Sequence, residues 1–422
     1  MANETDLYCV SGATNFNKAY SRLHGYIAIV ICIIGSATNS INIAVLSRRE
    51  MISPTNSILT GLAVADLLVM LEYIPYVLHM NIKIGPQVNK NTYAWAVFVY
   101  FHSIFSQTFH TISIWLAVTL AVWRYIAIAY PHRNRTWCSK RNTTAAIVSA
   151  YIMCPFLCLP IYFAMNIVSS EVTPQNNSEF AQDLSLPQNR TVYVLEMSKN
   201  KELVTAIMWI YSVILKLVPS IALSILSTCL ISKLTTTDRR RQKLLKRSMV
   251  GPNEPEKQCL AEDSNSARRS SRTDRTTRML LAVLGLFLST EVPQGLLGLV
   301  SALAPDFFKS CYSMFGDLMD VLALFTSSVN FVLYCSMSRQ FRCTFARLVR
   351  RILSSAEESP KFAVKQEPTT QVFILYLLLP VVIYAEGHLP IRLFESFKLG
   401  GYGVILTGDY NMNIPQYVCP IP

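Results

Sequence analysis

Apolar residues in this chain come in long unbroken blocks, without the strict alternation of a half-buried strand or the one-sided stripe of a water-soluble helix. The blocks cover residues 25–46, 57–80, 96–129, 144–167, 203–233, 277–303 and 312–335. Each reaches the roughly 20 residues a helix needs to cross about 30 Å of hydrocarbon. They predict an all-α membrane protein, a bundle of seven spans over residues 25–336. The polar connections orient it. The first holds Arg48 and Arg49, the third Arg133, Arg135, Lys140 and Arg141, and the fifth a basic stretch from Lys233 to Arg278. Positive connections stay in the cytoplasm, so the expected topology has segment 1–24 outside and the C-terminal end inside. Segment 1–24 contains no apolar core of signal-peptide length, so the first span is expected to direct insertion.

The sequons at Asn3, Asn176 and Asn189 fall in the outer segments and are the expected glycosylation sites, whereas those at Asn134 and Asn142 fall in a cytoplasmic loop and are expected to stay bare. The third cytoplasmic loop, about residues 234–276, mixes Arg239, Arg240, Arg241, Lys243 and Lys246 with Ser, Thr, Pro and acids, a composition that favours disorder with helical ends. It suits a cytoplasmic partner, and equally an anionic lipid surface. Residues 337–353 place apolar and basic residues at helical spacing and predict an amphipathic helix on the inner leaflet, with Cys343 as its candidate for lipidation. In the tail, residues 354–422, the apolar run Val372–Ala385 contains Pro380 and falls short of a span.

Composition agrees. Of 422 residues 51% are hydrophobic and 15% charged, with a mean hydropathy of +0.32, against about 25% charged in soluble domains. The net charge of +12 is explained by topology. Its Lys and Arg lie between apolar blocks and are not interleaved with stacking aromatics, which argues against nucleic acid. The 11 cysteines and six histidines form no ligand-spaced cluster, and no nucleophile elbow, phosphate loop or zinc motif occurs, so neither a metal enzyme nor any other enzyme is expected.

Ionisable and amide side chains inside spans are costly, and each is a functional candidate. Asp66 sits mid-block, with Asn39, Ser113 and Asn330 at comparable depth in other spans. Carboxylate, hydroxyl and amide oxygens suit a hard cation such as sodium, and a water-filled hydrogen-bond network is the alternative. A second, outer set is acidic: Glu72, Glu291, Asp317 and Asp320. Asp317 and Asp320 share a helix face, and Glu291 precedes Pro293, where a kink opens space between helices. These acids predict a ligand with a cationic group. His102, His110, Trp209, Tyr211 and Gln294 are expected to wall the same cavity, with plain packing as the alternative for each.

Taken together, residues 25–350 resemble a rhodopsin-like (class A) G-protein-coupled receptor. Gly35-Ser36-Ala37-Thr38-Asn39 is similar to the first-span motif, Leu62-Ala63-Val64-Ala65-Asp66 to the second, Trp123-Arg124-Tyr125 to the end of the third, Pro219 to the fifth-span bulge, and Asn330-Phe331-Val332-Leu333-Tyr334 to the end of the seventh. The stretches from Trp115 to Ala127 and from Asn330 to Arg342 resemble the invertebrate myosuppressin and FMRFamide-like peptide receptors, with sex-peptide and myoinhibitory-peptide receptors near them. The resemblance implies an extracellular amidated neuropeptide as ligand and a heterotrimeric G protein of the inhibitory Gi/o type, with arrestin and receptor kinases as further partners. It implies activation through Trp123, Arg124, Tyr125, Pro219, Pro293, Asn330 and Tyr334, at the plasma membrane.

Departures from the pattern are informative. Trp123 replaces the usual acid beside Arg124, Phe331 the seventh-span proline, and Ser289-Thr290-Glu291-Val292-Pro293 the aromatic toggle sequence. Neither Ala94–Ser106 nor Asn166–Glu202 contains the cysteine that usually ties the third span to the second outer loop. Cys9 and Cys311 are the two cysteines placed outside, and a bridge between them would join the N-terminal segment to the top of the seventh span. Two rival readings remain at this point: a receptor that binds peptide but couples poorly, and an ion-coupled transporter, which the absence of internal repeats disfavours.

Overall fold

The computed structural model describes residues 11–82, 91–172, 190–248, 281, 285–304 and 313–357. The sequons at Asn3, Asn176 and Asn189, the Cys9 and Cys311 pair, loop residues 249–276 and the tail beyond 357 lie outside them. Helix α1 spans Ser11–Leu46, α2 Pro54–Met80 and α3 Tyr93–Ala129. A short α4, Pro131–Trp137, leads into α5, Lys140–Tyr162. The fifth span is built from α6 (Lys201–Trp209), a π-helical segment (Ile210–Leu217) and α7 (Val218–Ser248). Then come α8 (Gly285–Leu303), α9 (Ser313–Met337) and α10 (Arg339–Glu357).

Six of the described helices are long and apolar enough to cross a membrane. The helix at the seventh expected position, α9, has 25 residues, about 37 Å of rise. Starts are written in the sequence. Ser53 accepts the Asn56 amide N–H at 3.1 Å with Pro54 behind it, and the Asn200 side chain accepts the N–H groups of Glu202 and Leu203. The π segment ends two residues before Pro219, whose missing N–H cannot continue the ladder.

Several boundaries differ from the apolar blocks. Helix α1 begins at Ser11, well before residue 25, and α7 runs past residue 233 to Ser248, a helical extension of the kind expected at the start of the third cytoplasmic loop. Polar residues on a helix that projects past the hydrocarbon leave no apolar signature, which is why block reading shortens both. The fourth span ends at Tyr162 and not at residue 167. Met165–Val172 (β1) instead pairs antiparallel with Arg190–Met197 (β2), Met165 opposite Met197 and Val172 opposite Arg190. This hairpin is fastened without a cystine. The Tyr193 amide N–H donates to the Asn91 carbonyl at 2.9 Å, and the Tyr193 ring meets Tyr93 edge-on at 5.4 Å, at the start of α3.

Helix α3 is the hub, touching α2, α5, α7 and both strands, while α1 packs on α2 and α9. One apolar core joins Ala28 and Cys32 of α1, Met70, Tyr73 and Val77 of α2, and Val321 and Leu324 of α9. Polarity is inverted relative to a soluble protein. Ile33, Phe156, Ile221, Ile225 and Val332 are exposed on the perimeter, whereas Asn39, Asp66, Ser113, Lys216 and Glu291 are buried. Lipid, as apolar as the core, tolerates the former, and only the bundle interior can satisfy the latter. Gly35 lets α1 approach closely, since a Cβ there would overlap the Met70 sulfur and lie 3.1 Å from Ser328 Cβ. Helix α10 is a separate unit with an apolar stripe through Phe341 and Phe345, both buried, and Cys343 half-buried on it.

Candidate functional site

Between α2, α3, the fifth span, α8 and α9 lies a partly open cleft, lined among others by Asp66, Tyr73, His110, Tyr211, Lys216, Gln294 and Asp320. Asp66 of the inner set and Asp320 of the outer one thus line one space, which spacing along the chain did not show. The structure sorts their members.

Asp320 lines the cleft, is exposed, and makes no hydrogen bond or ion pair to another described residue. Asp317, one turn away on α9, is half-buried and does not line it. Two of the four acids expected to receive a ligand cation are already paired. Glu72 holds both oxygens 2.8 Å from His102 Nδ1, and His102 is stacked on Tyr76 at 3.8 Å between centroids. Tyr73 meets the same imidazole edge-on, and its hydroxyl lies 3.4 Å from His24 Nε2.

Glu291, on α8, is fully buried and spends one oxygen on His110 of α3, at 2.7 Å, and the other on Lys216 of the π segment, at 2.8 Å. Lys216 Nζ also donates to Gln294 Oε1 at 2.8 Å and lies 5.8 Å from the Tyr211 ring centre. A carboxylate in hydrocarbon requires such compensation. Glu72 and Glu291, both expected to help receive a ligand's cation, thus already carry protein partners. Lys216 escaped the sequence reading, although a lone Lys inside the block 203–233 is the kind of costly intramembrane charge that marks a site. Trp209 is exposed and does not line the cleft, an outward position that suits an interfacial anchor.

At the cleft floor Ser113 Oγ donates to Asp66 Oδ1 at 2.8 Å. Asn39 instead turns its amide N–H groups to the Gly35 and Ser327 carbonyls, at 3.0 and 3.2 Å, leaving its own Oδ1 buried and unpartnered. Asn330 and Tyr334 lie on α9 with side chains outside the described set.

Toward the C-terminal end of α3, Trp123 Nε1 donates to Thr143 Oγ1 of α5 at 2.9 Å. The residue that replaces the usual acid thus braces two spans and leaves Arg124 alone; the Arg124 Nε is buried without an acceptor, and no described acid forms an ion pair with it. Tyr125 contacts Tyr130, Tyr130 contacts Trp137, and Arg133 lies over the Trp137 ring at 5.1 Å, a chain of rings that seats α4 against α3.

Comparison with known proteins places this arrangement. The family described as serpentine type 7TM GPCR chemoreceptor Srw matches residues 26–351. The chain is 30% identical over 352 residues to the G-protein coupled receptor dmsr-1 of Caenorhabditis elegans, covering 78% of this chain and 68% of that one. It is 27% identical over 359 residues to the sex peptide receptor of Drosophila melanogaster, covering 81% and 76%. It is 23% identical over 332 residues to the FMRFamide receptor of Drosophila melanogaster, covering 76% and 52%. A bundle of membrane-crossing helices, an interior polar cleft and a family match over most of its length make this chain a multi-pass, rhodopsin-like G-protein-coupled receptor of the Srw family.

Proposed function

We propose that this receptor is opened by an amidated neuropeptide of the Arg-Phe-amide class, reaching the cleft from outside the plasma membrane, and that it signals through an inhibitory Gi/o protein. The observation that carries the reading is Asp320, an exposed carboxylate on the cleft wall that forms no ion pair with another described residue. A guanidinium pairs with a carboxylate through two parallel hydrogen bonds, a contact that gains strength where water is scarce. Relatives named for sex peptide and FMRFamide support a peptide. Binding acts by favouring the packing in which the inner ends of the third, fifth and sixth spans accept the G protein.

Asp320→Asn keeps the shape and removes the charge. With a labelled Arg-containing peptide, the variant is expected to lose at least about thirtyfold in affinity, the lower end for breaking a desolvated charge pair. A citrulline analogue should bind both forms equally weakly. Unchanged affinity for the Arg peptide would contradict the assignment.

We further propose that Asp66, with Ser113, holds a sodium ion at the cleft floor, where a carboxylate and a hydroxyl supply hard oxygen ligands. Exchanging sodium for choline should shift peptide affinity in the wild type and leave Asp66→Asn unmoved. Equal shifts in both would contradict it.

A further inference from the structure

The four-residue cluster around Glu291 joins three spans at one point: His110 from α3, Lys216 from the π segment and Gln294 with Glu291 from α8. Glu291 and Lys216 are both essentially inaccessible, at 0% and 1% exposure, so their charges are compensated by each other and not by water. Each carboxylate oxygen already has a protein donor.

The backbone around the cluster is built for close approach. A Cβ at Gly295 would lie 2.9 Å from Leu217 Cδ2, and one at Gly298 would lie 2.5 Å from Ser212 Oγ. Two glycines on α8 thus let it seat directly on the π segment, whose wider turn carries Lys216. Glu291 also stands two residues before Pro293, which lacks the N–H that would stiffen α8 at that level. An ionic contact at the flexible point of one helix, anchored on two neighbours, has the makings of a two-position element.

We infer that Lys216, His110 and Glu291 form an electrostatic clamp that holds the packing of the third, fifth and sixth spans seen here as the receptor's resting one, with Glu291 as the clamp's internal counter-ion and not a subsite for the ligand's cation. The clamp ties α8 to the π segment, so a conformation that separates them must break it. Removing the carboxylate charge removes that cost from one state only and shifts the equilibrium.

The inference rests on the proposed reading only for its peptide arm, and basal signalling tests it without any peptide. Full-length receptor is expressed in cells, surface level is measured by an extracellular tag, and G-protein dissociation is recorded per surface receptor. Glu291→Gln should raise basal signalling about fivefold or more, the span of ordinary coupling energies. The exchanged pair Lys216→Glu with Glu291→Lys should return it most of the way, because an imidazole and a carboxamide can each donate or accept and so tolerate reversed charges beside them. The exchanged receptor should also keep its response to an Arg peptide, which a ligand subsite at Glu291 would lose.

Should Glu291→Gln fail to reach the surface, Lys216→Met with Glu291→Met leaves no buried charge and should be basally active. Unchanged basal signalling in the charge-removing variant that reaches the surface, or an exchanged pair as active as Glu291→Gln, would overturn the clamp. Raised basal signalling alongside silence to every peptide would sustain the clamp and sink the peptide reading.

Discussion

Lys216→Met is expected to cost the receptor about 3–5 kcal/mol of stability, the penalty for stripping the partner from a buried ion pair. Against total stabilities of about 5–15 kcal/mol this is a large fraction. Methionine fills nearly the same length, so packing is largely kept and the loss is electrostatic. Glu291 would remain inside the bundle with His110 alone beside it. Adding Glu291→Met should recover most of the loss, because two apolar side chains of similar volume replace two desolvated charges. Thermal unfolding of the detergent-solubilised receptor measures both. A single variant no less stable than the double one would contradict the picture of a compensated buried pair.

Arg124→Ala should abolish signalling while leaving the outer cleft intact. Arg124 sits toward the C-terminal end of α3, and its neighbour Trp123 is committed to Thr143 of α5 and cannot restrain it as an acid would. The guanidinium Nε is buried and has no acceptor among the described residues. Loss of an Arg anchor at an interface typically costs at least about 2 kcal/mol, roughly thirtyfold. Peptide-stimulated nucleotide exchange should fall by that factor or more, with peptide affinity changed only a few-fold. Equal losses in binding and exchange would mean that Arg124 holds the bundle together instead of serving the partner.

Much of the bundle was legible because the membrane imposes a length and a polarity that a single chain displays openly. The apolar blocks marked the spans, and the amphipathic pattern after the seventh marked α10. What escaped depended on pairing. The hairpin strand Met165–Val172 follows directly on an apolar span, so its first residues were absorbed into it, and only the partner Arg190–Met197 makes it a strand. Glu72 and Glu291 read as acids awaiting a cation because their histidine partners, on another helix, are invisible to spacing along one chain. Lys216 is different in kind. Its cost in hydrocarbon is readable from sequence alone, but the carboxylate that compensates it lies on another helix.

Asp66 and Asp320 line one cleft because α2 and α9 bring them to the same space.

The central claim, a receptor opened by a cationic amidated peptide, is tested most directly in cells expressing the full chain. Cyclic AMP and G-protein dissociation are recorded while Arg-Phe-amide peptides are applied at graded concentrations, with Asp320→Asn in parallel. A saturable fall in cyclic AMP that shifts to higher peptide concentration in Asp320→Asn is the expected result. Silence to every peptide despite confirmed surface expression, or a response that Asp320→Asn leaves unmoved, would contradict it.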